Sequence, residues 1–313
     1  MTKIGIMIEG QEDLTWERFF RLAQAVEDLG FESLFRSDHL TGLGGHTQRR
    51  VLPLWPALTA LALRTQRIRF GPMVCSMTFR NPALLAKEAA AVDFLSGGRL
   101  DLGLGTGWHE GEHRMYGINF PPFSARLEML DEGAHVVKAL WQGTPVTFTG
   151  KHYRLEAAES YPLPAQPAPV LIIGGKSERT LQLVAKHASE WNCVYADVAL
   201  FRQKSAYLDE QCRAIGRDPA TICHSLMLPF VVATDPKIAQ RRVEAAHAMF
   251  AHLPTSVADW HAANYFGTTP QRLVEQINAF VEAGVARFML QLNDLDDIEM
   301  LELLAREVLP HVK

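Results

Sequence analysis

The sequence predicts an α/β protein, a (β/α)8 (TIM) barrel with insertions after strands 4 and 7, on three observations. Eight short apolar runs are spread from end to end, amphipathic stretches lie between them, and two connections are much longer than the others. Repeated strand–helix units call for parallel strands with right-handed crossovers, and about eight of them are enough to close a barrel. An open doubly wound sheet is the competing topology. The 313 residues suit one barrel domain, 1–313, with its insertions.

In chain order the expected strands are 3–8, 33–37, 68–74, 100–105, 170–174, 190–195, 226–233 and 286–292. Between the first two, Trp16, Phe19, Phe20, Ala23, Val26 and Leu29 recur at the spacing of one buried helix face, and Gly30 stands where that helix would stop. Asn81-Pro82 opens a helix after the third strand, with proline in its first turn. After the fourth strand, residues 108–169 hold one helix, 124–141, and then a Pro- and Gly-rich stretch too long for a plain barrel connection. After the seventh, residues 235–280 carry two helical patterns. Both insertions follow strand C-termini, the face on which barrel loops build active sites.

Composition narrows the function classes. Hydrophobic residues make up 48% and charged residues 21%, with a formal net charge of −4 and no block of like charge. Nucleic-acid and membrane surfaces both need a basic stripe, which is absent here. No apolar run approaches the roughly 18 residues that would span a bilayer, and no secretory signal precedes the first strand. Cys75, Cys193, Cys212 and Cys223 form no C-x-x-C pair and read as reduced thiols, so a cytoplasmic setting is expected.

Four segments can carry chemistry. Asp38-His39 ends the second strand at the expected barrel mouth, where a histidine can move a proton near neutral pH and a neighbouring carboxylate can hold its tautomer; an Asp closing a loop beside a surface His fits the dipeptide equally. The third strand ends in Met73-Val74-Cys75-Ser76. Gly103-Leu104-Gly105-Thr106-Gly107-Trp108 lets backbone approach a ligand but is no dinucleotide fingerprint, because its sixth position is Trp108. Gly174-Gly175-Lys176-Ser177 runs from a buried strand into a helix, a setting for a phosphate or for a plain tight turn. Separately, His109-Glu110-Gly111-Glu112-His113 matches the zinc pattern H-E-x-x-H, with Glu132 a conceivable third ligand. That pattern needs a helix, and Gly111 with Gly117 leaves only about two turns for one. No metal is expected, and a zinc hydrolase stands as a remote alternative.

These segments together resemble the bacterial luciferase-like oxidoreductases, in particular the branch that uses the deazaflavin coenzyme F-420 (F420). The resemblance is carried by residues 31–39 (FESLFRSDH), 78–82 (TFRNP), 96–113 (SGGRLDLGLGTGWHEGEH), 116–126 (YGINFPPFSAR), 171–179 (LIIGGKSER) and 188–192 (ASEWN). It implies a (β/α)8 barrel holding F420, or FMN as the alternative, and exchanging a hydride with a small-molecule substrate. It also implies a non-proline cis peptide at Met73-Val74 behind the cofactor ring, with Gly105, Thr106 and Gly107 flanking that ring. Gly174, Gly175 and Lys176 would take the phosphate, and His39, oriented by Asp38, would move the proton. Glu9, Trp108 and His109 are expected in the substrate pocket. Relatives acting on sugar phosphates carry a carboxylate where this chain has Trp108, which points to a flatter, less charged substrate. With FMN the protein would be an oxygen-using monooxygenase; without turnover, a flavin-binding protein. The resemblance also allows a homodimer, although no stretch marks an interface.

Overall fold

The eight apolar runs form eight parallel strands in the computed structural model, which describes residues 2–313. They are β1 (Lys3–Ile8), β2 (Ser33–Arg36), β3 (Arg69–Pro72), β4 (Leu102–Gly105), β5 (Leu171–Gly174), β6 (Glu190–Val194), β7 (Cys223–Val232) and β8 (Arg287–Leu292). The ring runs β3-β2-β1-β8-β7-β6-β5-β4. It closes through the third strand itself: Arg69–Pro72 pairs with β2, the two residues Cys75–Ser76 pair with β4, and Phe70 bridges Leu100. The Met73–Val74 peptide lies between these two pairings and is cis. A closed ring, not an open sheet, is therefore the topology.

Eight helices pack outside the ring: α1 (Trp16–Asp28), α2 (Leu54–Arg64), α3 (Pro82–Ser96), α4 (Phe123–Leu140), α5 (Glu178–His187), α6 (Val198–Ala214), α7 (Pro270–Val281) and α8 (Ile298–Glu307). Their starts follow local chemistry. Thr15 caps α1 through the Arg18 amide at 3.2 Å, and Asn81 caps α3 through the Ala83 amide at 2.9 Å, with Pro82 supplying a preset φ. Between β4 and β5 lie the short helix Glu110–Met115, α4, and an antiparallel hairpin of Val146–Thr149 with Arg154–Ala158. Between β7 and α7 lie Pro236–Met249, Val257–Ala262 and a three-residue strand, Phe266–Thr268, that pairs with β7. Neither the hairpin nor this strand is evident from the sequence.

Alternation along the strands sorts side chains inward and outward. The register aligns Lys3 with Arg287, Gly5 with Met289 and Met7 with Gln291, and it stacks the interior in layers. At the amino-terminal end of the strands Arg287 meets Asp101 at 2.8 Å, Glu190 at 3.0 Å and Glu32 at 2.9 Å, all inside the barrel floor. Above it Met7, Phe35, Met73, Ile172, Met227 and Met289 form a separate apolar cluster, and the Arg287 guanidinium lies 4.9 Å from the Phe35 ring centre. The next layer is a cavity. Among the described residues, no helix is long and apolar enough to cross a membrane.

Candidate active site

The cavity encloses about 720 Å³ at the carboxyl ends of the strands, a size ordinary for a cofactor or substrate pocket. Its floor is Met7, Met73, Val74 and Met227, and its rim carries His39, Trp108 and Tyr195. Val74 fits into a seat of glycines. A Cβ on Gly105 would overlap the Val74 side chain, one on Gly103 would overlap the Pro72 carbonyl, and one on Gly174 would come within 3.3 Å of Val74 and meet nothing else within 4 Å.

His39 stands at the mouth, and its partner is Glu112, not Asp38. Nδ1 of His39 lies 2.9 Å from Oε1 of Glu112, whose other oxygen accepts the Leu40 amide at 2.9 Å. Asp38 instead forms an ion pair with Arg80 from the TFRNP stretch, which corrects the expectation that Asp38 orients His39. The two carboxylates sort by partner: Asp38 is taken by Arg80, and Glu112 is the one left to His39. Burial of the His39 ring opposes its charged form, but the hydrogen bond and field of Glu112, followed by Glu9 and Asp38, outweigh it and hold the imidazole above its ordinary value. Burial likewise pushes the Glu112 carboxyl up, while His39 and the Leu40 amide bring it down to a net value below the usual range. The two directions agree: the pair favours imidazolium beside carboxylate.

The H-E-x-x-H stretch is a device for holding this carboxylate. His109 caps the helix Glu110–Met115, its Nδ1 accepting the Glu112 amide at 3.2 Å. His113 is buried between Phe79 and Phe120, with one ring nitrogen 2.6 Å from Thr78 Oγ1 and the other 2.8 Å from the His109 carbonyl. Glu132 accepts the amides of Lys151, His152 and Tyr153 and so closes the hairpin turn. These side chains are spent on the loop, and no three His, Cys, Asp or Glu among the described residues gather around a common point.

The glycine loop is fixed from both sides. Arg126 donates to the Gly107 carbonyl, and Ser76 lies 2.6 Å from Thr78. Gly107 has φ +72°, and a Cβ there would overlap Ser76 Oγ. Gly107→Ala is therefore expected to cost about 1–3 kcal/mol, read from denaturant unfolding; an unchanged midpoint would show that the loop simply yields. Trp108 follows, 65% exposed, its ring edge-on to His39 at 5.6 Å and to His109 at 5.2 Å. Trp108 lines the cavity, whereas His109 does not and serves the cap.

Glu9 does reach the cavity. It accepts from Gln291 Nε2 at 2.6 Å and Gln11 Nε2 at 2.9 Å, while Tyr195 donates to Gln291 at 3.0 Å. Sequence reasoning did not single out Gln291, Tyr195, Glu112 or Asn192. Asn192 is fully buried on the cavity wall: Nδ2 donates to Ser225 Oγ at 3.0 Å and Oδ1 has no protein partner. Of the expected phosphate group, Gly174 and Gly175 line the cavity, but the Lys176 ammonium donates to the carbonyls of Val194 at 3.2 Å and Tyr195 at 2.9 Å. Lys176 thus ties the ends of β5 and β6 together, which corrects its assignment to the phosphate. Ser177 caps α5 through the Thr180 amide, and the first amides of that helix have no intrahelical acceptor.

A closed barrel with a cavity at the carboxyl ends of its strands and a histidine–carboxylate pair at the rim has the layout of a barrel enzyme. The family is then given by comparison: residues 1–288 match the model for the luciferase-like monooxygenases, and the chain belongs to that family. It is 26% identical to the F420-dependent hydroxymycolic acid dehydrogenase of Mycobacterium tuberculosis, over 99% of this chain and 88% of that protein. It is 28% identical to an F420-dependent glucose-6-phosphate dehydrogenase of Microbacterium testaceum, over 92% and 91%. Its fold superimposes on an F420-dependent secondary alcohol dehydrogenase in complex with an F420-acetone adduct, with a TM-score of 0.84, 23% identity, and coverage of 100% and 99%.

Proposed function

We propose that the protein is an F420-dependent oxidoreductase that moves a hydride between the deazaflavin and a small organic substrate. The observation that carries this reading is the His39–Glu112 pair, 2.9 Å apart, at the mouth of a cavity floored by Met73 and Val74. The F420-dependent relatives support the choice of cofactor. The residues present fit a flat ring bearing an N–H. Val74 offers an apolar seat, Gly174 puts no side chain beside it, and the unpartnered Asn192 Oδ1 supplies a buried acceptor. Gly105, Thr106 and Gly107 would flank the ring, and Gly174, Gly175 and the opening amides of α5 would meet the phosphate.

When bound, F420 supplies two-electron hydride chemistry and reacts poorly with oxygen. The chain's own part is orientation and proton transfer. Glu112 fixes His39 through Nδ1, which leaves Nε2 as the atom that gives or takes the substrate's proton. The apolar floor keeps water from the reacting centre. Four cysteines without disulfide partners support a cytoplasmic setting.

The test is a fluorescence titration of the purified protein with F420 and with FMN. Micromolar or tighter binding of F420, with FMN far weaker, is expected. Preference for FMN would turn the assignment to an oxygen-using monooxygenase, and binding of neither would overturn it.

A further inference from the structure

We propose that Arg126 is a positioning residue whose unneutralised charge, set behind the glycine loop of the cavity, biases the bound cofactor toward its reduced form. This rests on the F420-dependent reading above and deepens it.

Arg126 is a buried cation without an anion. Its nitrogens donate to two carbonyls, Nε to Pro121 at 3.0 Å and a terminal nitrogen to Gly107. No ion pair among the described residues includes it, and burial pulls the guanidinium down with no neighbouring charge to raise it. A carboxylate is the usual partner for a charge taken out of water. Here the stretch Phe120-Pro121-Pro122-Phe123 takes that place. Pro122 is extended, with φ −52° and ψ 152°, and leads directly into α4. The guanidinium carbon lies 4.0 Å from the Phe120 ring centre and 5.6 Å from that of Phe123, and the ring faces offset part of the cost of burying the charge.

The Gly107 carbonyl belongs to a loop that lines the cavity, so the cation stands one hydrogen bond behind the wall. That carbonyl also accepts from Thr106 Oγ1 at 3.3 Å, and Ser76 and Thr78 leave no room on the other flank of Gly107. Holding the loop needs no charge. A glutamine amide could satisfy the same carbonyl without burying an ion. The charge itself is therefore what the cavity gains from arginine.

Accepting a hydride adds two electrons and one proton to the cofactor ring, and so one negative charge until a second proton arrives. A fixed cation in the wall favours that electron-rich form over the oxidised one. The other charged side chains are otherwise engaged. Asp38 is matched by Arg80 and Glu112 by His39, while Lys176 is held on the carbonyls of Val194 and Tyr195. Glu9, met by the neutral amides of Gln11 and Gln291, opposes Arg126, and His252 lines the cavity as well. All of these are the same in native protein and variant, and the phosphate of F420 is the same in both redox forms. A change in the ratio of the two affinities therefore reports Arg126.

The test is calorimetric titration of the full chain with oxidised F420 and, without oxygen, with F420 reduced by borohydride. Mildly alkaline buffer keeps a second proton scarce. Arg126→Met keeps the bulk and drops the charge; it is expected to lower the preference for the reduced form by about tenfold, the worth of one charge acting over about 10 Å in a protein interior. The same factor is a fall of about 30 mV in the two-electron potential of the bound cofactor. Arg126→Lys keeps the charge and should change the ratio by less than about threefold. Phe123→Glu supplies the missing anion at a position 42% exposed, and should lower the ratio by about threefold where Phe123→Gln leaves it alone. A role confined to holding the loop would weaken both affinities together and keep their ratio. An unchanged ratio in Arg126→Met, or in Phe123→Glu should Arg126→Met not fold, overturns the proposal. So does a ratio that falls as far in Arg126→Lys as in Arg126→Met. Binding of neither form by the native protein strikes the cofactor reading, and this proposal with it.

Discussion

His39→Ala is expected to lower turnover by about 10²- to 10⁴-fold, the usual worth of a positioned proton-transfer group, with F420 affinity unchanged. Binding stays because the glycines, Val74 and Asn192 that would seat the ring are untouched. The pH profile separates this role from a structural one. Glu112 raises the His39 imidazole above its ordinary value, so the ring is more protonated at neutral pH than a free histidine. Imidazolium supplies the proton that accompanies reduction of a substrate, and neutral imidazole accepts the one released on oxidation. Reduction should therefore fall, and oxidation rise, as pH increases through an inflection above 6.5. Glu112→Gln keeps a hydrogen-bonding partner but removes the charge, so that burial, which pushes the imidazole down, is opposed only by the smaller contributions of Glu9 and Asp38. Both inflections should move to lower pH in that variant. A profile unchanged between Glu112→Gln and the native protein would remove His39 as the titrating group.

The parts of this architecture that rest on periodicity are legible in the sequence, and those that rest on contacts across the barrel are not. Each of the eight strands is a short apolar run because both its faces are covered, and each surfaces within a residue or three of where pattern puts it. The hairpin around Gly150 escapes notice because its strands, Val146–Thr149 and Arg154–Ala158, are mostly exposed and lie in a Pro- and Gly-rich stretch. Asp38-His39 shows the limit more sharply. Adjacency in sequence suggests a pair, whereas the two side chains find separate partners, Arg80 and Glu112, 42 and 73 residues away. Glu112 is visible in the sequence, yet inside a pattern that advertises zinc. The signal against that reading is Gly111 and the short helix; nothing in one sequence says that the glutamate turns to His39. Lys176 misleads in a similar way. A lysine after two glycines looks free to bind phosphate, but parallel neighbours end at one level, and the carbonyls closing β6 lie within its reach.

The largest expected loss of stability is at the opposite end of the barrel, in Arg287→Ala. Arg287 is buried and serves three carboxylates, Asp101 at 2.8 Å, Glu32 at 2.9 Å and Glu190 at 3.0 Å; Asp101 also binds Arg69. Removing one partner of such a cluster leaves charge in a dry interior, which costs about 3–5 kcal/mol. The loss reaches upward as well, because the guanidinium underlies Phe35, a member of the methionine layer that floors the cavity. Denaturant unfolding measures the loss directly. The competing account is that Arg287 matters only for its volume, and a double variant decides between the two. Arg287→Met together with Glu190→Gln restores bulk and removes one stranded charge, so it should recover part of the loss that Arg287→Met alone incurs. If the two are equally unstable, charge is not what the cluster contributes, and the floor of the active site is held up by packing alone.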